Sequence, residues 1–217
     1  MDQLRTYGGR PGADRRDERR TRLLAVGNEL LTAPDGPGGF SVRGVCREAG
    51  LTPRYFYESF TDAGELARAV YDECIAAITT PALEALRDLG TDDRAAVRRG
   101  LATLVDLIAD DPSRGRLLFS PALAAVPEIA EQRVVSTRLF VRLVGVEATN
   151  RKVPEPSGPV RVAAELLVGG VAQVVSAWLE GHLDVDRDVI IDTLTTSFLS
   201  LGPAVEPRGG GVTRPPD

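Results

Sequence analysis

The sequence has few of the side chains that bind metals or carry out acid–base chemistry near neutral pH. Its 217 residues include one histidine, His182, two cysteines, Cys46 and Cys74, and one lysine, Lys152. The cysteines lie far apart in helical contexts, so they indicate neither a disulfide framework nor a metal site. The sequence also lacks a glycine-rich phosphate loop and a nucleophile elbow. We therefore expect no catalytic residues, no metal and no cofactor.

Aromatic residues are scarce, at 5% of the chain, and long uninterrupted apolar runs are missing. The most apolar segment, 160–179, is interrupted by Arg161, Glu165 and Gln173, which predicts a buried helix and not a membrane span. No N-terminal apolar stretch resembles a signal peptide. We expect a cytoplasmic protein that does not bind a membrane.

The charge is distributed unevenly along the chain. The formal net charge is −5, yet residues 1–25 carry seven arginines against four acidic residues. Residues 67–217 carry 16 basic and 21 acidic residues. The N-terminal excess of positive charge would suit a contact to phosphate, and a solvated basic tail is the alternative.

Apolar residues recur at helical spacing along the whole chain, and no segment alternates as a strand does. This pattern predicts an all-α protein of about nine helices. Asp62 and Glu65 resemble a capping box at the start of the fourth helix, which bends at Pro81 if it continues to residue 89. The expected helices cover about 15–32, 42–49, 53–59, 63–89, 92–109, a short segment from 112, 127–150, 159–181 and 186–201.

Residues 41–66 hold the most informative local signals. Ser41 is a plausible N-cap of the second helix, and Gly50 falls where a left-handed residue would end that helix. Thr52 can cap the third helix, with Pro53 at its first position. Two short helices joined by a tight glycine turn make a helix-turn-helix, whose second helix protrudes and can enter a DNA major groove about 12 Å wide.

This stretch resembles the tetracycline-repressor (TetR) family of transcriptional regulators, of actinobacterial type. The resemblance is strongest over about residues 20–70, and beyond them it rests on a helical layout of matching length. The residues that match, in the family's order and spacing, are Ser41-Val42, Val45, Ala49-Gly50-Leu51-Thr52, Phe56-Tyr57, Phe60 and Leu66.

The resemblance implies roles for individual residues, with the third helix as the recognition helix. Phe56 and Phe60 would be core positions, and Tyr57 would contact a phosphate through its hydroxyl. The implied DNA-binding residues are Ser41, Arg43, Thr52, Pro53, Arg54, Tyr55, Tyr57 and Ser59. Arg54 is the best candidate to read guanine. Outside such a motif, Arg54 would be an ordinary solvated arginine, and Tyr55 and Tyr57 ordinary core or surface aromatics.

The sequence departs from the family pattern in several places. Ala63 replaces the usual lysine at the start of the fourth helix, so one phosphate contact is missing. Ser59 stands where His or Tyr is common and can still bond a phosphate. Cys46 replaces a small alanine and fits as a compact hydrophobe. The loop at residues 34–39 is longer than usual.

The eighth helix is apolar on nearly every side and needs cover on its outer face, for which a second copy of the chain is the natural candidate. Gly169 and Gly170 would allow close helix approach. In the resembled family, the eighth and ninth helices of two subunits form a four-helix bundle. The predicted interface residues are Val168, Val171, Val174, Val175, Leu179, Ile190, Leu194 and Phe198.

The C-terminal part is expected to bind a small molecule. Each candidate residue, taken singly, is as well explained as plain core. All candidates have an apolar side chain and lie on the helices that are expected to surround the ligand. An apolar lining of this kind suggests a lipophilic effector. They are Leu101, Leu104, Val105, Ile108, Leu118, Phe119, Leu139, Phe140, Leu143, Val171, Val175 and Trp178.

Together these features predict a homodimeric regulator that acts as a repressor and is released from a near-palindromic operator by a small effector. The expected domains are a disordered arm (1–14), a helix-turn-helix DNA-binding domain (15–61), a helical ligand-binding and dimerisation domain (62–203) and a disordered tail (204–217). Two alternatives remain: a ligand carrier or enzyme on the same scaffold, and a dimeric interaction protein that does not bind DNA.

Overall fold

The computed structural model describes residues 12–87, 93–149 and 158–201. Within these ranges the chain forms nine α-helices and two short 3-10 helices, Pro37–Gly39 and Pro121–Ala125, with no strand. The all-α prediction is therefore confirmed. The α-helices are α1 (Gly12–Leu31), α2 (Val42–Ala49), α3 (Pro53–Tyr57), α4 (Ala63–Arg87), α5 (Asp93–Asp110), α6 (Pro112–Phe119), α7 (Pro127–Thr149), α8 (Gly158–Leu179) and α9 (Arg187–Leu201).

The helix bounds differ from the expected ones by a few residues. α1 begins at Gly12, so the last three residues of the predicted disordered arm are helical. α3 ends at Tyr57, two residues earlier than expected, and α4 continues past Pro81 to Arg87. The rest of the arm and the predicted tail lie outside the described residues.

The chain divides into two compact units. The first lies within Met1–Cys74 and Arg116–Gln132, and the second within Ile75–Gly115 and Arg133–Asp217. α4, α6 and α7 each contribute residues to both units, because the division falls inside these helices. The domain boundary expected after residue 61 was placed at the end of the helix-turn-helix motif. This boundary stays a prediction.

The first unit has a core built from the apolar faces of α1 to α4, together with residues of α6, the second 3-10 helix and α7. α1 and α4 approach closely at Gly27, where a Cβ atom would lie 3.1 Å from Cγ2 of Val70. Burial of these side chains is the main favourable term that holds α2 and α3 in place. The largest buried residues include Leu23, Leu31, Val45, Phe56, Phe60, Leu66, Leu117, Leu123 and Ile129.

The C-terminus of α1 is capped by an arginine distant in sequence. Arg116 Nε donates to the carbonyl oxygen of Thr32 at 2.9 Å, and the Thr32 hydroxyl donates to the carbonyl of Asn28 at 2.7 Å. The last carbonyls of a helix have no partner within the helix, and a cation there also interacts favourably with the helix dipole. Arg116 therefore ties the part of α6 that belongs to the first unit, residues 116–119, to the end of α1.

The capping box at the start of α4 is present with one difference from the prediction. The backbone N–H of Glu65 donates to Asp62 Oδ1 at 2.7 Å, as expected. The Glu65 carboxylate, however, accepts from the backbone N–H and hydroxyl of Thr61, at 2.6 and 2.8 Å. These two donors lower the pKa of Glu65.

In the second unit, α5 and α9 are joined by exposed ion pairs. Arg98 lies 2.7 Å from Asp192 and 3.3 Å from Asp188, and Arg187 lies 3.1 Å from Asp106. Exposed pairs contribute little to stability, so the main stabilisation comes from the apolar side chains beneath them. Those buried side chains include Val105, Ile108, Val175, Ile190, Ile191 and Leu194.

α8 is covered by its own chain on one side only. Val160, Ala164, Leu167 and Val175 are buried, whereas Val162 and Leu166 are 70% and 62% exposed. The single chain therefore leaves open the outer face of α8, for which a second copy was expected as the cover.

By length and composition, α8 is also the one helix among the described residues that could cross a membrane. The core helix of a soluble protein passes the same test.

Candidate nucleic-acid interface

The N-terminus of α2 is fixed by a side-chain cap. Ser41 adopts an extended backbone conformation, and its Oγ accepts a hydrogen bond from the backbone N–H of Gly44 at 3.0 Å. Such a cap satisfies one of the N–H groups that lack a partner within the helix. The N-cap prediction for Ser41 is confirmed, and both Ser41 and Arg43 are exposed.

The loop before α2 packs directly against its first turn. A Cβ atom at Gly44 would lie 2.1 Å from the carbonyl oxygen of Gly39, a backbone atom that cannot rotate away. Residue 44 therefore has to be glycine if this loop is to keep its path.

The turn between α2 and α3 has the hydrogen bonds of a Schellman motif. Gly50 has a φ of 64° in the left-handed region, its N–H donates to the carbonyl of Arg47, and the N–H of Leu51 donates to that of Cys46. The prediction for Gly50 is confirmed. Cys46 is buried, and burial raises the pKa of its thiol, which fits the expected role of a compact apolar residue.

α3 begins at Pro53 as predicted, but its capping differs. The Thr52 hydroxyl makes no capping hydrogen bond within the described part of the chain. The Thr52 carbonyl instead accepts from the N–H groups of Tyr55 and Phe56, at 3.0 and 3.4 Å. Thr52 and Pro53 are both exposed residues.

One buried aromatic residue anchors α3 and directs its other side chains outward. Phe56 is fully buried and packs edge-to-face on Tyr57, with ring centroids 5.6 Å apart, and against Phe60 at 5.8 Å. Tyr57 itself is 60% exposed, and the Arg54 side chain is 86% exposed. A short helix held by one face in this way presents the opposite face to a partner.

Arginines of α1 contact α3 and the residues that follow it. The Arg19 guanidinium lies 4.5 Å from the ring centroid of Tyr55, and Arg20 lies at the same distance from that of Phe60. Arg16 donates to the carbonyl oxygen of Glu58. Cation–π contacts of this kind stabilise the helix packing. Part of the N-terminal positive charge is therefore used inside the first unit, a role that the sequence analysis missed.

Ser59 does not present its hydroxyl to the surface. Its Oγ is buried and has no hydrogen-bond partner among the residues that the structure describes. The hydroxyl expected to bond a phosphate is therefore buried, which argues against Ser59 as a DNA contact.

The exposed surface of α2 and α3 carries a small excess of positive charge. Residues 41–59 contain three arginines, at positions 43, 47 and 54, and two glutamates, at positions 48 and 58. Arg47 and Glu48 form an exposed pair at 2.9 Å. Positive groups beside a protruding helix are the electrostatic arrangement that a DNA-binding surface needs.

The residues predicted to line a ligand site lie in both compact units, and each group is described by itself. Leu118 and Phe119 belong to the first unit and are half-buried. In the second unit, Leu101, Val105, Ile108 and Val175 are buried, and Leu104, Phe140, Val171 and Trp178 are half-buried. Leu139 is 49% exposed, and the side chain of Leu143 lies outside the described residues.

The predicted dimer-interface residues also fall into two groups. Val168, Val171, Val174, Leu179 and Phe198 are half-buried and partly accessible. Val175, Ile190 and Leu194 are buried within the single chain, so a partner could not reach them. Val162 and Leu166, the most exposed large apolar residues of α8, were missed.

The all-helical fold, with α2 and α3 joined by a tight turn, is shared with solved structures of transcription regulators. No protein-family model matches the chain. A TetR family transcription regulator from Marinobacter aquaeolei is 18% identical, with a TM-score of 0.61 over 87% of this chain and 97% of that chain.

Two further solved structures share this fold. NalD, the secondary repressor of the MexAB-OprM multidrug efflux pump in Pseudomonas aeruginosa, is 18% identical, with a TM-score of 0.62 over 86% of this chain and 96% of that chain. FadR from Bacillus subtilis, solved in complex with stearoyl-CoA, is 17% identical, with a TM-score of 0.58 over 86% and 97%. At these identities the likeness shows a common fold.

Proposed function

We propose that the chain is a DNA-binding transcriptional regulator that recognises a near-palindromic operator as a homodimer. The observation that carries the proposal is the anchoring of α3 by fully buried Phe56 while Arg54 and Tyr57 point outward. The solved structures with this fold that are named above are transcription regulators. The proposed DNA contacts are Ser41, Arg43, Thr52, Pro53, Arg54, Tyr55 and Tyr57.

The homodimer is proposed from the uncovered face of α8. Val162 and Leu166 are exposed on this face, as is Gly169. Burying such a face against a second copy would remove apolar area from water, and glycine would let the helices approach closely. In a dimer the two recognition helices would lie about 34–36 Å apart, which is one turn of B-DNA.

We also propose that a small lipophilic effector releases the protein from its operator, and that the protein is a repressor. Support comes from the apolar interior of the second unit and from two proteins of the same fold, a repressor and a regulator solved with stearoyl-CoA. The effector would bind more tightly to a dimer conformation in which the distance between the two recognition helices does not fit DNA. Its binding would therefore draw the dimer away from the conformation that binds the operator.

The alternatives make different predictions about α3. A ligand carrier or enzyme makes no DNA contact through exposed Arg54 and Tyr57, and an interaction protein would use these side chains for a protein partner. Under either alternative, neither the wild-type protein nor variants of these two residues should distinguish one DNA duplex from another. A regulator uses Arg54 to read a base and Tyr57 to bond a phosphate, so variants of the two residues should affect DNA binding in different ways.

Arg54→Ala is expected to lower sequence discrimination, because a bidentate arginine–guanine contact contributes about 1–3 kcal/mol against the wrong base. Tyr57→Phe is expected to weaken specific and unspecific sites alike by about 10-fold, since its hydroxyl would bond a charged phosphate. Fluorescence anisotropy measures both effects, using a duplex selected from a random pool and a scrambled duplex.

Tyr57→Phe removes one oxygen from an exposed side chain, so the fold should be retained. Equal affinity of wild-type protein and Tyr57→Phe for both duplexes would remove Tyr57 from the interface. A wild-type protein that selects no duplex from the pool would overturn the proposed function itself.

A further inference from the structure

Glu58 occupies a central position between α1 and the recognition helix. It follows the last residue of α3, and its backbone N–H donates to the carbonyl of Arg54 at 3.2 Å. Its carboxylate pairs with Arg19 of α1 at 2.9 Å and with Arg54 at 3.8 Å. One carboxylate is thus shared between a partly buried arginine and an exposed one.

Arg19 holds this carboxylate in place. It is 23% exposed, its guanidinium also stacks on Tyr55, and it belongs to a different helix from Glu58. A charged group fixed by a pair and a stacking contact loses little further freedom when it meets a third group. The pair with Arg19 therefore places the Glu58 carboxylate within 3.8 Å of Arg54 Nε.

The contact with Arg54 leaves the outer end of the guanidinium available. The ion pair joins Nε of Arg54 to Oε1 of Glu58, and the Arg54 side chain is 86% exposed. A guanidinium has five N–H donors, and two of them suffice for bidentate binding of guanine O6 and N7. An exposed pair of this kind contributes little to stability, so its effect would lie in orienting the side chain.

We propose that Glu58 is a positioning residue for sequence readout: anchored by Arg19, its carboxylate orients Arg54 before DNA is bound. The inference rests on the proposed function and adds a specificity-determining residue to it. A long, flexible side chain that is ordered in advance loses less entropy on binding its base.

The test compares Glu58→Gln with Glu48→Gln. Both variants lose one negative charge from the same surface, but Glu48 pairs with Arg47 of α2 and does not contact Arg54. We expect Glu58→Gln to lower the ratio of affinities for the selected and scrambled duplexes by about 3- to 10-fold. We expect Glu48→Gln to raise both affinities alike and to leave the ratio unchanged.

A double-mutant cycle identifies the route through Arg54. If Glu58 acts by positioning Arg54, Glu58→Gln has no further effect on the ratio in an Arg54→Ala background. Equal ratios for Glu58→Gln and Glu48→Gln, or an undiminished effect without Arg54, would overturn the inference. Wild-type discrimination would stand in either case, so the proposed function is tested separately.

Thermal unfolding shows whether each variant is folded at the assay temperature. If Glu58→Gln is not, Glu58→Asp takes its place in the same cycle. Aspartate keeps the charge, but its shorter side chain cannot span from Arg19 to Arg54. We expect the same loss of discrimination, and a ratio equal to that of the wild type would contradict the inference.

Discussion

Leu166→Glu is expected to leave the protein monomeric and to weaken operator binding by at least about 100-fold, because two linked recognition helices bind far more tightly than one. Leu166 is 62% exposed on the uncovered face of α8. In a two-fold symmetric interface each substitution occurs twice, and two buried, unpaired carboxylates would oppose association. Light scattering measures the mass, and anisotropy measures the affinity.

Val135→Glu is the matched control for this variant. Val135 is an exposed valine of α7, 59% accessible, and it lies outside the proposed interface. The Val135→Glu variant should have the same mass in solution and the same affinity for the operator as the wild-type protein. If Leu166→Glu remains a dimer while its helical content is normal, the α8 face is not the contact between subunits.

Gly44→Ala is expected to destabilise the protein by about 1–3 kcal/mol. At an ordinary helical position this change stabilises by about 0.4–1 kcal/mol, because alanine has less freedom in the unfolded chain. At Gly44 the added Cβ would lie 2.1 Å from the Gly39 carbonyl oxygen, so the loop or α2 has to move. The close contact therefore reverses the sign, which urea unfolding can measure.

Gly38→Ala serves as the control in the same loop. A Cβ atom at Gly38 would meet no other atom within 4 Å. Its effect should stay within about 0.5 kcal/mol, as for other surface substitutions. A Gly44→Ala protein that is as stable as the Gly38→Ala protein would mean that the loop adapts freely to the methyl group.

The sequence predicted those features that depend on local chemistry. The cap at Ser41, the left-handed turn at Gly50 and the first position of Pro53 each follow from one residue type in one conformation. The burial of Phe56 and Phe60 followed from their match to the motif. These residues define where the candidate interface begins and ends.

Contacts between residues distant in sequence could not be predicted in this way. Arg19 and Glu58 are 39 positions apart, and nothing in either neighbourhood indicates the pair. Ser59 matched a phosphate-binding position, but the turn after α3 buries its hydroxyl.

The uncovered face of α8 could not be predicted from the sequence either. A helix that is apolar on all sides does not reveal which side its own chain covers. The exposure of Val162 and Leu166 therefore emerged from the packing alone.

The most direct test of the central claim is the binding of the wild-type protein to its selected duplex and to a scrambled duplex across a salt series. Presentation of α3 to DNA by a subunit pair predicts a Kd of about 10⁻⁸ M or below, discrimination of at least about 10³-fold and a steep fall of affinity with salt. Equal affinity for both duplexes, or none for either, would contradict it.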